Sequence, residues 1–136
     1  MYYNEPGLSF VKGDATNLPF DKDSFDTVIN IESTGFCDNL PKLFNEVYRV
    51  LRKDGNFLFA DIIESNSVET VKHQLRMAGF TIEHKQDITK NVIAALNADN
   101  KRKEVLIKEQ IPGIMKKTFR QFAGTIDSER YKAFID

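Results

Sequence analysis

Seven residues of this 136-residue chain stand where apolar runs end, and chemistry is to be sought there. Gly13, Asp14 and Ala15 close the run LSFVK. Asn30, Glu32 and Ser33 lie at the end of FDTVINI, and Asp61 closes NFLFA. If these runs are strands of an open parallel sheet, such residues sit outside its carboxyl edge, where ligands bind near a switch in strand order. Polar side chains converging on one edge of an apolar sheet form a candidate site. The competing reading, evenly weighted, is that Asp14 and Asp61 cap loops and Glu32 is solvated.

Other chemistries find little support. The glycines are scattered, so no glycine-rich loop cradles a triphosphate or a dinucleotide pyrophosphate. No serine elbow and no cysteine–histidine arrangement is evident. Cys37 follows an aromatic residue without a neighbouring base and reads as a small buried residue. His84 reads as lying on a strand face and His73 as a solvated mid-helix residue. One cysteine and two histidines argue against a thiolate or imidazole metal cluster, leaving a carboxylate-only magnesium site open.

Composition sets the outer bounds. An apolar content of 41% and a charged content of 29% are those of a soluble globular chain with a single core. The formal charge of −1 provides no overall field to recruit nucleic acid or an anionic membrane. Lys101, Arg102 and Lys103 are offset by Asp99 and Glu104 and read as a solvated helix face. A single thiol forms no disulfide within the chain, no apolar run approaches the ~20 residues of a membrane span, and MYYNEPG lacks a signal-peptide layout. These features fit a cytoplasmic protein.

The elements that would position the candidate residues are legible from periodicity. Leu8–Lys12 reads as a first buried strand, ended by Gly13-Asp14. Ala15–Pro19 is a loop, Asp21–Ser24 a turn, and Phe25–Ile31 a second strand rich in β-branched residues. A helix from Pro41 to Lys53, capped by Asn39, gathers Leu43, Phe44, Val47, Val50 and Leu51 on one face. Gly55 is placed to stop it in a left-handed conformation. Asn56–Ile62 is a third strand. Ser67–Ala78 is a second helix, with Asn66 and Glu69 as a capping box and Gly79 as the stop. Phe80–Ile88 is a fourth, more exposed strand. Helical patterns follow: Val92–Ala98, Arg102–Ile111, a break at Pro112-Gly113, Ile114–Phe122 and a short Ser128–Phe134. The expected fold is α/β, a partial Rossmann-like, mostly parallel sheet of about four strands over residues 1–88, with a helical lid or insertion over residues 89–136.

Gly13-Asp14-Ala15 with Leu18-Pro19-Phe20, then Ser24–Val28, resembles the third- and fourth-strand region of class I S-adenosylmethionine-dependent methyltransferases, of the type 11-like small-molecule kind. Glu46–Gly55 resembles their next helix, with Asp54 where a glycine or proline is usual. Asn56–Asp61 resembles the strand after it, and Ala78-Gly79-Phe80 also recurs there. The likeness covers about Leu8–Ile88. It implies that Asp14 accepts a hydrogen bond from the adenine amino group of S-adenosylmethionine and that the N–H of Ala15 meets an adenine ring nitrogen. Asn30, Ile31 and Glu32 would line the methionine part of the cofactor and the substrate entrance. The helical tail, with Phe119–Gly124, is similar to lids of enzymes acting on hydroxyls of lipid, polyketide or sterol-like molecules. Related sequences often carry a histidine shortly after Glu-Ser; here Thr34, Gly35 and Phe36 stand there, which leaves Glu32 as the remaining candidate for a catalytic carboxylate, with proximity alone as the alternative for methyl transfer to an activated oxygen.

The family's first strand, its glycine-rich turn and its ribose-binding acidic residue have no counterpart in the sequence. Without central strands, a buried sheet edge would lack a partner. This predicts a homodimer or strand exchange through that edge, or a chain that is part of a longer protein. The competing function is a non-catalytic methyltransferase-like chain that self-associates or binds a partner. A receiver-like module is disfavoured, since no acidic pair with a strand-end lysine is evident.

Overall fold

The computed structural model describes residues 6–126, 128, 129, 131 and 132. The chain divides between His84 and Lys85 into two compact units.

The first unit is built on helix α1, Leu40–Val50. Asn39 Oδ1 accepts the Lys42 N–H at 3.0 Å and Pro41 occupies the first turn, so the helix begins with two of its free donors accounted for. Leu43, Phe44, Val47 and Val50 recur at three- and four-residue spacing and are all buried. Leu43, Phe44 and Val47 form one core with residues of a parallel pair of strands, β1 (Phe25–Ile31) and β2 (Leu51–Ala60). Val28 pairs with Phe57 and Asn30 with Phe59 in the register. The Phe44 ring meets Phe57 and Phe59 edge-on, at centroid distances of 6.3 and 5.7 Å. Helix α2, Val68–Met77, adds Val71 to this core. The alternate positions of the strands, Ile29, Ile31 and Leu58, remain 63%, 66% and 54% exposed.

The expected parallel pairing is present, but among the described residues the sheet has two strands rather than four. Leu8–Lys12 is not a strand: neither β1 nor β2 pairs with it, and Leu8, Phe10 and Val11 stay exposed. Residues 80–88 likewise form no strand, and His84 is therefore an exposed residue of an irregular segment. Apolar alternation describes a half-buried strand only when a neighbour supplies the ladder hydrogen bonds. Phe80 instead packs its ring against Tyr48 and Phe57, at 5.2 and 5.3 Å.

The boundary between α1 and β2 also differs from expectation. The helix ends at Val50 and the chain passes straight into β2, so Gly55 is not a helix stop. Phe25 pairs with Leu51 but Thr27 with Asn56, which leaves residues 52–55 looped out of the ladder. Asp54 takes the left-handed conformation there, with φ +63°. Glycine adopts that region without strain, which accounts for the glycine but not for the proline of the two residues expected at this position, since proline holds φ near about −65°. Gly55 is required for a different reason: a Cβ on it would lie 2.9 Å from the Arg52 carbonyl and 3.1 Å from that of Asp26. Arg52 braces the loop by donating to both Asp26 carboxylate oxygens at 2.8 Å. The Asn66–Glu69 capping box is replaced by a 3-10 turn, Ser65–Ser67, that leads into α2 without a side-chain cap.

The second unit begins with α3, Thr89–Gln110. Its two apolar runs were expected as separate helices, but they merge because Asp99 pairs with Arg102 and Lys103 across the polar stretch between them. The Asp87 carboxylate accepts the Thr89 N–H at 2.9 Å at the start of the helix. Pro112 breaks the chain as expected. A 3-10 turn, Gly113–Met115, follows, then α4, Lys116–Ala123. Arg120 of α4 pairs with Glu104 of α3 at 3.0 Å, and Lys116 Nζ donates to the Lys108 carbonyl at 2.9 Å. The Tyr131 hydroxyl bonds to Asn97, and Ile107 and Tyr131 are buried. Glu129, Tyr131 and Lys132 are helical and Ser128 is a bend before them, while Arg130, Ala133 and Phe134 of the expected Ser128–Phe134 helix lie outside the described residues.

Candidate active site

Two groups of candidate residues have distinct supports. The first is the loop carrying Asp14 and Ala15. Asp14 Oδ1 accepts the Thr16 N–H at 2.7 Å and the Thr16 hydroxyl at 2.9 Å. The Asn17 N–H donates to the Asp14 carbonyl at 2.9 Å. The Thr16 N–H, foremost, and then its hydroxyl hold the Asp14 carboxyl below its ordinary range. Asp14 therefore does serve as a loop cap. Its Oδ2 takes no donor among the described residues, and the Ala15 N–H meets no acceptor among them. One acceptor and one donor stand side by side with capacity to spare.

The same loop is tied to α1 through its further end. Glu46 Oε2 accepts the Leu18 N–H at 2.8 Å. Arg49 donates to the Leu18 carbonyl at 3.0 Å and to the Phe20 carbonyl at 2.8 Å. The two side chains also form a forked pair, with Arg49 Nε to Glu46 Oε1 and Nη2 to Oε2 both at 2.8 Å. Bidentate geometry of this kind is the strong form of the contact. Arg49 is the main cause that lowers the Glu46 carboxyl, and Glu46 in turn raises the Arg49 guanidinium. Gly13 fits because its missing Cβ would lie 2.8 Å from Pro19 Cδ. Nothing in the periodicity that marks this helix points to the clip, because both of its side chains lie off the apolar face. Its visible signal was the three-residue spacing from Glu46.

The second group is the carboxyl end of β1. Asn30 Oδ1 is buried and takes no hydrogen bond among the described residues. A buried acceptor without a donor is destabilising unless something supplies one. Ile31 is exposed, and Glu32 is exposed with φ +49°. A left-handed conformation at a non-glycine residue is uncommon and clusters at functional positions. The Glu32 N–H continues the ladder to the Ala60 carbonyl at 2.9 Å. Asp61 is tied to the neighbouring backbone and to Thr34. Its Oδ2 accepts the Thr34 N–H at 3.0 Å and hydroxyl at 2.6 Å, and its Oδ1 accepts the Ile62 N–H at 2.8 Å. This bridge fixes the loop that follows Glu32.

Asn30, Ile31 and Glu32 are thus contiguous with Asp61, while Asp14 and Ala15 are held by α1. No hydrogen bond or ion pair among the described residues links the two groups. A groove of about 360 Å³, lined by Pro41, Asn45, Gln74, Met77 and Ala78, includes none of them. Cys37 is half-buried against the core formed by α1 and the strands, and His73 is exposed on α2.

Comparison with known proteins bears on what this geometry is for. Residues 2–59 match the family model described as a methyltransferase domain. The chain is 34% identical over 119 residues to a phthiotriol/phenolphthiotriol dimycocerosates methyltransferase of Mycobacterium leprae, covering 88% of this chain and 44% of that protein. It is 32% identical over 119 residues to the protein of the same name from Mycobacterium tuberculosis, with the same coverage. A fatty-acid O-methyltransferase of Mycolicibacterium smegmatis is 28% identical over 120 residues, again with 88% and 44% covered. The chain therefore spans less than half the length of these relatives.

Proposed function

Because the chain belongs to the class I S-adenosylmethionine-dependent methyltransferases, we propose that it acts in methyl transfer from S-adenosylmethionine to a lipid-like small molecule, at a hydroxyl oxygen. The names of the dimycocerosate and fatty-acid relatives support the substrate class. The observation that carries the reading is the unpaired Asn30 acceptor beside a strained Glu32 at the end of β1. Asp14, Asn30 and Glu32 all offer acceptors, which suits a cofactor that carries a positive charge and presents amino and hydroxyl donors.

In this proposal Asp14 Oδ2 accepts from the adenine amino group and the Ala15 N–H donates to an adenine ring nitrogen. Asn30 and Ile31 line the methionine part. Bound S-adenosylmethionine supplies an electrophilic methyl group on a sulfonium sulfur. Glu32 holds the acceptor hydroxyl by its proton and takes that proton as the oxygen becomes methylated. Positioning accounts for much of the rest, since an acceptor held in line needs little further activation. A cytoplasmic setting agrees with the single thiol.

Calorimetric titration with S-adenosylhomocysteine tests the cofactor reading. Micromolar affinity is expected. Asp14→Asn, which keeps the bond to Thr16 but removes the charge, is expected to weaken it about tenfold. Absence of binding to 1 mM by a folded chain would remove the proposal.

The bare sheet face favours a second reading, a chain that self-associates. Ile29, Ile31 and Leu58 form one side of a parallel sheet, and parallel sheets are ordinarily covered on both faces. The occupant in this reading is a second copy, docked on that face or paired along the β1 edge, which carries no lysine or proline to blunt it. Gel filtration is then expected to show a dimer that Ile29→Lys converts to a monomer. A monomer at 100 μM for the parent chain would exclude it.

A further inference from the structure

We infer that the turn between α3 and α4 is a docking surface for an anionic lipid bilayer. Ile114 in the 3-10 turn is 94% exposed and Phe122 on α4 is 78% exposed. Met115, Val105 and Leu106 are also exposed in the same stretch. Met115, Thr118 and Phe122 recur at three- and four-residue spacing, so they share one flank of the turn and helix. Arg120 pairs with Glu104 and thereby holds α4 on α3. The apolar flank is therefore presented by a braced helix rather than by a loose end.

Charge selects the partner. Residues 1–84 carry 8 Lys and Arg against 13 Asp and Glu, a net −5, whereas residues 85–136 carry 11 against 7, a net +4. The overall charge of −1 conceals this division. Between residues 104 and 123 Glu104 is paired with Arg120, and Lys108, Lys116 and Lys117 stand against Glu109 alone. Protruding apolar side chains flanked by lysines fit the boundary between headgroups and acyl chains of an anionic membrane. They fit a protein partner poorly, because lysine is depleted in the cores of protein interfaces. No helix among the described residues is long and apolar enough to cross a membrane, so the contact is one of surface insertion.

The inference does not rest on methyl transfer, and its test uses neither cofactor nor substrate. The full chain is floated with vesicles of equimolar phosphatidylglycerol and phosphatidylcholine, or of phosphatidylcholine alone, in 0.1 M salt. Recovery with the anionic vesicles is expected to exceed recovery with the neutral ones at least tenfold. Ile114→Ser/Phe122→Ser is expected to reduce binding at least tenfold, and Lys117→Gln about fivefold. All three side chains are exposed, so the variants should retain the parent circular dichroism spectrum and melting curve. Failure of the parent chain to float, or flotation of the double variant at parent level, would overturn the inference. So would a parent dimer that fails to float and that the double variant splits, because the patch would then join two copies.

Discussion

Phe44→Ala is expected to lower the stability of the first unit by about 3–5 kcal/mol. Phe44 is fully buried and is the largest side chain in that state. It touches both aromatic residues of β2, Phe57 and Phe59, with the edge-on geometry that adds to simple burial. Leu43 and Val47 flank it on α1 and are equally enclosed, so little can collapse into the cavity. With two strands and two helices around one small core, the unit has few other contacts to fall back on. Total stabilities of domains are about 5–15 kcal/mol, so the variant should be largely unfolded in mild urea. Phe44→Leu retains most of the volume and should lose no more than about 1.5 kcal/mol. Urea titration followed by far-ultraviolet circular dichroism measures both. A loss below about 1 kcal/mol for Phe44→Ala would mean that α1 does not hold the sheet.

How much of this was readable in the sequence depended on whether an element carries its own evidence. α1 was legible because Leu43, Phe44, Val47 and Val50 repeat on one face and Asn39 and Pro41 mark the start. β1 was legible because its run of β-branched residues has few other uses. Leu8–Lys12 and Phe80–Ile88 have strand-like patterns, but strands are made in pairs, and pairing is not written in either segment. The bend into β2 was missed because Gly55 looks like a helix stop. The left-handed residue is Asp54, and Gly55 is needed only because two carbonyls crowd it. At the site, strand ends pointed to Asp14, Asn30 and Glu32 but could not distinguish a side chain in use from one with capacity left. Among the described residues the structure separates them: Asp61 accepts three bonds from Thr34 and Ile62, Asp14 accepts on one side-chain oxygen, and Asn30 Oδ1 accepts none. The Glu46–Arg49 clip joins residues 28–31 positions apart in the chain to the Asp14 loop, and periodicity is silent on such distances.

That clip carries the second large expectation. Arg49→Ala removes two bonds to loop carbonyls and the forked pair with Glu46 together. The Leu18 and Phe20 carbonyls and the Glu46 carboxylate would then need water in a partly buried position. A fall in Tm of roughly 5–10 °C is expected. Because the loop that carries Asp14 and Ala15 is held at this end, affinity for S-adenosylhomocysteine should fall about tenfold as well, in step with Asp14→Asn. Arg49→Lys keeps the charge but not the fork, so it should recover only part of either loss. Acid provides an independent check. Glu46 has its carboxyl lowered in the folded chain, chiefly by Arg49. The pair therefore contributes its full stabilisation above about pH 4.3, the ordinary glutamate value, and loses it as the pH falls through the lower folded value. The gap in Tm between the parent chain and Arg49→Ala should be constant from about pH 5 to 8 and narrow below about pH 4. Asp14 and Glu104 are also lowered, by groups other than Arg49, so both proteins should lose absolute stability in acid. A gap that persists unchanged to pH 3, or an Arg49→Ala variant with parent affinity, would show that the clip neither depends on the Glu46 charge nor positions the loop.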